Sequence, residues 1–193
     1  HEHLEYYSSK VIIEMMKKNN LRVFDHKFND INGGSSQYYI CHKKAPYKQT
    51  KAIKNVLNKE KKYKLVSIKT YKKFFSIIQR NKMNLTNMIK KLIAKKNIIH
   101  GYGASTKGNV LLQYCNINSN IISHIAEVNS LKFNKYTPGT NIKIISENEA
   151  KKKKPDFYLV LPWHFKDHII KREKKFLKNG GKLIFPLPDI EII

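Results

Sequence analysis

Residues 98–109, I-I-H-G-Y-G-A-S-T-K-G-N, pass from a short apolar strand through a glycine turn into an amphipathic helix over residues 107–114. That order is a ligand-cradle layout. Gly101 and Gly103 let the backbone turn sharply and approach a ligand with no Cβ in the way, and the amides opening the helix present its positive end to an anion such as a phosphate. Lys107 adds a charge, and Tyr102, Ser105, Thr106 and Asn109 put hydrogen-bonding side chains into the same turn. The spacing is neither a dinucleotide fingerprint, which needs glycine where Thr106 stands, nor a Walker loop. On glycine spacing alone, a tight strand-to-helix turn without a ligand stays open as the alternative.

Outward from this stretch, strand and helix patterns alternate. Strands are expected at 97–100, 121–128, 143–145, 157–161 and 182–185, with a second helix at 165–179. Alternation predicts an α/β domain, a Rossmann-like parallel sheet with helices on both faces, over residues 97–193. Its ligand belongs beyond the carboxyl ends of the strands, so residues 101–107, 127–129 and 162–164 should converge. Glu127 is placed to meet a ribose hydroxyl there, although an acid at a strand end is unremarkable. Upstream, Ser8 and Ser9 are candidate caps for a short helix with an apolar stripe of Val11, Ile12, Met15 and Met16. Residues 21–28 and 37–42 read as a hairpin around Asn32-Gly33-Gly34. Residues 51–62 and 67–94 read as helices within a segment, 47–96, that links and covers. The apolar face of the second, with Tyr71, Phe74, Phe75, Ile78, Leu85, Met88, Ile89 and Leu92, is expected to be core rather than a base-stacking platform.

The net charge of +24 would ordinarily point to nucleic acid or an anionic membrane. Only Arg22, Arg80 and Arg172 are arginines, however, and the lysines are spread along a chain also rich in Asn and Ile. Compositional drift explains such a surface, whereas nucleic-acid readers gather arginine forks on one face. No nucleic-acid partner is expected. Cys41 and Cys115 have neither disulfide-framework nor zinc-site spacing, which fits a cytoplasmic location. No apolar run of membrane-spanning length and no secretion leader is seen, so no membrane partner is expected. The chain opens without Met and reads as a fragment of a longer polypeptide.

His1-Glu2-His3-Leu4 with Tyr7-Ser8, Gly33-Gly34-Ser35, Gly101-Tyr102-Gly103-Ala104 with Lys107-Gly108-Asn109, Tyr136-Thr137-Pro138-Gly139-Thr140, and Trp163 with Phe165 form five ordered blocks covering nearly the whole chain. In this the sequence resembles the S-adenosylmethionine-dependent nucleotide-sugar C-methyltransferases of the deoxysugar 3-C-methyltransferase type. It departs from them at Gln37 and Asn32, where a basic residue and a histidine are usual. The resemblance implies a three-part enzyme: a zinc-binding N-terminal region, a central domain holding S-adenosylmethionine, and a C-terminal Rossmann-like domain that helps hold the sugar nucleotide. Residues 1–46 would then be the end of the methyltransferase domain, its last helix and β-hairpin. Both cofactors would be bound mainly upstream, and the fragment would be inactive alone and monomeric.

The chemistry so implied needs a base, because a carbon beside a keto group becomes nucleophilic only when it loses a proton, and an imidazole suits that work. His3 is the candidate base on the resemblance, with Glu2 orienting it or contacting sugar hydroxyls; without the resemblance His3 reads as a surface histidine. Gly101, Tyr102, Gly103, Ser105, Lys107, Asn109, Asn129, Tyr136 and Trp163 are the candidate substrate-binding residues. A nicotinamide-linked oxidoreductase domain and a basic nucleic-acid-binding module are the alternatives.

Overall fold

The computed structural model describes residues 5–31 and 34–193. They form two compact units, residues 1–76 and 77–193. In the first, α1 (Ser9–Lys18) is followed by the antiparallel pair β1 (Leu21–Asn29) and β2 (Ser35–His42), and then by α2 (Lys51–Lys62). Ser8 caps α1 by accepting from the Val11 amide. The Glu60 carboxylate of α2 accepts from the Ser9 and Lys10 amides, putting negative charge at the positive end of α1. Ile53 and Val56 of α2 are buried, as is Val23 of β1, and the Arg22 guanidinium fastens the connection beyond the hairpin by donating to the carbonyls of Lys43, Ala45 and Tyr47. The boundary between the units, at Ser76/Ile77 in sequence, falls within the long helix α3 (Ile68–Ala94).

The second unit holds a six-stranded sheet in the order β5-β4-β3-β6-β7-β8. Its strands are β3 (Ile99–Tyr102), β4 (His124–Glu127), β5 (Lys143–Ser146), β6 (Phe157–Val160), β7 (Lys182–Phe185) and β8 (Glu191–Ile192). All neighbours pair parallel except β8, which runs antiparallel to β7. The period-two alternation of each strand sorts the core into two layers. Ile99, Ile125, Ile144, Phe157, Leu159 and Ile184 meet Leu85 and Ile89 of α3 and Leu112 of α4 (Thr106–Tyr114). Tyr102, Ala126, Tyr158, Val160, Leu183 and Phe185 meet Ala150 of α5 (Glu147–Lys152), Ile169 of α6 (Lys166–Arg172) and the partly buried Phe176 of α7 (Lys174–Lys178). Helices therefore flank both faces of a Rossmann-like sheet. Strand order reverses between β3 and β6, the switch point where such sheets open a crevice at their carboxyl ends.

Several elements differ from the expectation. Residues 101 and 102 extend β3 rather than opening the turn, because Gly101 and Tyr102 pair with β4 on one side and β6 on the other. Residues 121–123 stay outside β4, and the helix expected at 165–179 breaks at Glu173 into α6 and α7. The short α5 and β8 have no expected counterpart. On α3 only Leu85 and Ile89 are buried, while Tyr71, Phe74 and Phe75 are 50–60% exposed. Those aromatics are thus not core. Val11 and Met15 of α1 are likewise exposed, whereas Ile12 and Met16 are half-buried. Asn32 and Gly33 of the expected turn lie outside the described residues.

Candidate functional site

At the carboxyl end of β3 the chain makes its turn at Gly103, whose φ of +76° belongs to the left-handed region where a side chain is strained. Its amide donates to the Ala126 carbonyl at 2.8 Å, and a Cβ would come 2.8 Å from the Pro162 ring. Further on, a Cβ at Gly108 would come 2.4 Å from that of Leu161. The close approach that Gly103 and Gly108 allow is therefore taken up by Pro162 and Leu161 of the segment after β6, while Gly103 also borders a cleft. Ala104, Ser105, Thr106 and Asn109 add further surface open to a ligand.

Ser105 caps α4, its hydroxyl accepting from the Gly108 amide at 3.0 Å, so the first turn of α4 points its amide ends at the strand termini. Glu127, at the end of β4, ties this turn down. Its Oε2 accepts from the Ala104 amide at 2.8 Å and lies 3.4 Å from Lys132 Nζ, while Oε1 accepts from the Val128 and Asn129 amides at 2.8 and 3.0 Å. Burial alone would raise this carboxyl's pKa, but the amides of Asn129, Val128 and Ala104, with Lys132, together hold it below the usual glutamate range. A carboxylate offers about four lone-pair directions, and here all are taken. Lys132 also donates to the Ala104 carbonyl at 2.8 Å. Glu127 is thus a clamp between two loops and has no oxygen left for a ribose hydroxyl.

The segments after β3, β4 and β6 do meet. Gly103 touches Pro162, Glu127 bonds Ala104, and burial and then the charge of Lys107 lower the His164 pKa. Two clefts flank the Ala104-Ser105 turn. One, of about 260 Å³, is bounded by Gly103, Glu127, Pro162, His168 and Arg172. The other, of about 220 Å³, lies between Ser105, Thr106 and Asn109 of α4 and Lys132, Thr137 and Pro138. Asn109, which borders this second cleft, has a buried side-chain oxygen, Oδ1, with no hydrogen-bond partner. Such an acceptor asks for a donor from a ligand or from water.

The candidate residues are distributed accordingly. Gly103, Ser105 and Asn109 border the clefts, and Lys107 is exposed on the first turn of α4. Gly101 is buried within β3; Tyr102, also buried, borders the first cleft and donates from its hydroxyl to Glu173 at 2.8 Å. Asn129 caps the short turn Ser130–Lys132 by accepting from the Leu131 amide. Tyr136 and Trp163 border neither cleft; Tyr136 is exposed, and Trp163 packs against the core under α6 and α7. His3 and Glu2 lie outside the described residues. Lys132, Thr137 and Pro138 were not expected; one lysine among so many carries no distinguishing signal. Among the described residues no group of His, Cys, Asp and Glu could hold a metal ion, and no helix is long and apolar enough to cross a membrane.

Residues 30–188 match the family described as the C-methyltransferase C-terminal domain. The chain is also 32% identical, over all 193 of its residues, to the C-methyltransferase NovU of Streptomyces niveus, of which it covers 46%. It thus spans about half the length of that curated relative.

Proposed function

The chain belongs to the C-methyltransferase C-terminal domain family, and from that premise we propose that it is the substrate-holding part of an enzyme that methylates a carbon of a keto-deoxysugar nucleotide using S-adenosylmethionine. The sugar nucleotide lies across the amino end of α4, its diphosphate at the first-turn amides and Lys107, with a hydroxyl or N–H of the ligand donating to Asn109. The observation that carries this reading is the unpartnered Oδ1 of Asn109, a residue that borders a cleft together with a helix amino end, Ser105, Thr106 and Lys132. An anion suits the amides and a neutral donor suits the oxygen, and a nucleotide sugar has both.

The same residues do not fit S-adenosylmethionine. Both carboxylates that border the clefts are engaged, Glu127 by three amides and Lys132, and Glu147 by Arg172, so neither is held open for its adenosyl ribose and the methyl donor is assigned to the upstream part of the polypeptide. Zinc, on the resemblance, belongs further upstream still. The segment before residue 47 closes the methyltransferase domain in this reading, with His3 as the base that takes the proton from the carbon beside the keto group and Glu2 beside it. The unit bearing the clefts contributes binding and orientation, by which it fixes the acidic carbon relative to that base.

The test has two parts. The full-length polypeptide transfers labelled methyl from S-adenosylmethionine to a keto-deoxysugar nucleotide, and Lys107→Ala weakens calorimetric binding of that nucleotide by ~1–3 kcal/mol, the range for a charge-assisted hydrogen bond. Asn109→Ala weakens it by ~1 kcal/mol. Methyl transfer with unchanged affinity in both variants would remove this cleft from the substrate site while leaving the reaction class intact.

A further inference from the structure

A cavity of about 700 Å³ in the second unit opens at the amino ends of β6 and β7, beneath α5 and α7. Its size is that of a small-molecule site rather than of a single ion. Four cations border it, Lys151, Lys154, Arg172 and Lys175, against two carboxylates. Both carboxylates are engaged: Asp156 accepts from the Ile98 amide at 2.7 Å, and Glu173 accepts from Tyr102 and lies 3.7 Å from Lys151. Arg172 is paired with Glu147 at 2.6 Å. Among the described residues no carboxylate pairs with Lys154 or Lys175, so the exposed rim of the cavity keeps a positive field.

Lysines are common throughout this chain and would not by themselves mark a site. What marks this one is Tyr158. Its side chain is fully buried, lines the cavity, and has a hydroxyl with no hydrogen-bond partner. The Phe176 ring, 4.8 Å away, completes an aromatic floor beside it. A buried hydroxyl left unpaired is unfavourable, and natural structures keep one where something else supplies the partner. Cations at the rim and a polar hook on an aromatic floor match a ligand with an anionic head and an uncharged hydroxylated body.

We propose that this cavity binds a phosphorylated small molecule, its phosphate held between Lys154 and Lys175 and a hydroxyl of its organic part paired with Tyr158. Titration calorimetry of the 193-residue protein with ribose 5-phosphate and with inorganic phosphate tests it. Ribose 5-phosphate should bind, and Lys154→Ala with Lys175→Ala should weaken both probes by ~10-fold or more, two charge-assisted contacts being lost. Tyr158→Phe should weaken ribose 5-phosphate ~5-fold and leave inorganic phosphate unchanged. Both lysines are exposed, so the double variant keeps its fold. Absence of ribose 5-phosphate binding to the unaltered protein overturns the proposal. So does a loss in Lys107→Ala without one in the double variant, which would put the phosphate at the carboxyl ends of the strands. Equal loss of both probes in Tyr158→Phe overturns the pairing with the hydroxyl.

Discussion

Between the sheet and α4 the buried side chains are Ile99, Ile125, Leu159, Ile184 and Leu112; between the same sheet and α7 they are Tyr102, Tyr158, Val160, Leu183 and Phe185, with Glu173 buried above them. The first layer is aliphatic except for Phe157 and Cys115, and its stability is a matter of filled volume. The second carries hydroxyls, a carboxylate and the His100 imidazole, some satisfied and some not, beside a large cavity. One sheet thus separates a layer that can only hold from a layer that can also respond. The cost of disturbing each should differ in size and in kind.

The largest effect is expected on the aliphatic side. Ile125 is fully buried in the middle of that layer, and Ile125→Ala should lower stability by about 3–4 kcal/mol, from lost transfer free energy plus the cavity left behind. Urea denaturation reads this directly. A loss below ~1 kcal/mol would mean that the layer collapses around the gap, and the contrast between the faces would weaken.

Next comes a dependence on pH that the aliphatic layer cannot have. His100 is buried, and burial first, then His124 and Lys153, push its pKa down to about 4 from an ordinary 6.5. The folded state therefore resists the proton that the unfolded chain accepts. Stability is fully present above pH 6.5 and is lost as pH falls toward 4, by ~1.4 kcal/mol per unit and about 3 kcal/mol in all. Glu127, whose folded pKa is lowered, loses its contribution at still lower pH, below the usual glutamate range. Replacing His100 with Phe should flatten the slope between pH 6.5 and 4. An unchanged slope would assign it to another group.

Period and alternation in the sequence suffice for the parallel sheet and its flanking helices, because long-range strand pairing and local pattern agree there. They do not distinguish the two faces. In Phe157-Tyr158-Leu159-Val160 every residue is apolar or aromatic, as a strand buried on both sides requires, so nothing local says that Tyr158 will lack a partner. The glycine turn was legible as a turn, but which neighbours occupy its space depends on Pro162 and Leu161, brought in by the crossover. Glu127 was visible as an acid at a strand end; its saturation arises from the tight turn at Val128-Asn129 and from Lys132. Asn109 could be named from its place after the turn. That its oxygen is buried and unpaired is a property of the assembled cleft. The break at Glu173 escaped the helical pattern because a carboxylate there is drawn inward to the Tyr102 hydroxyl, a contact across the sheet layer.

The smallest and most diagnostic effects come from removing one oxygen at a time within the polar layer. Tyr102 and Tyr158 are neighbours on adjacent strands, their rings 5.3 Å apart and edge to face, and both are buried. Tyr→Phe is the same chemical change at each, with ring packing retained. At Tyr102 it removes the donor to Glu173, leaving a buried carboxylate with only Lys151 at 3.7 Å and Arg172 at 4.0 Å, so a loss of ~1.5–3 kcal/mol is expected, the range for a hydrogen bond to a charged group. At Tyr158 it removes a hydroxyl that has no partner, and the expected change is near zero or slightly stabilising, because the unfolded chain alone loses a hydrated group. Thermal or urea unfolding of the two variants in parallel, without added phosphate compounds, measures the difference. Equal losses would mean that Tyr158 has an internal partner, and the polar hook would disappear from the cavity. A gap of ~1.5 kcal/mol or more identifies Tyr102 as the structural hydroxyl and leaves that of Tyr158 available to a ligand.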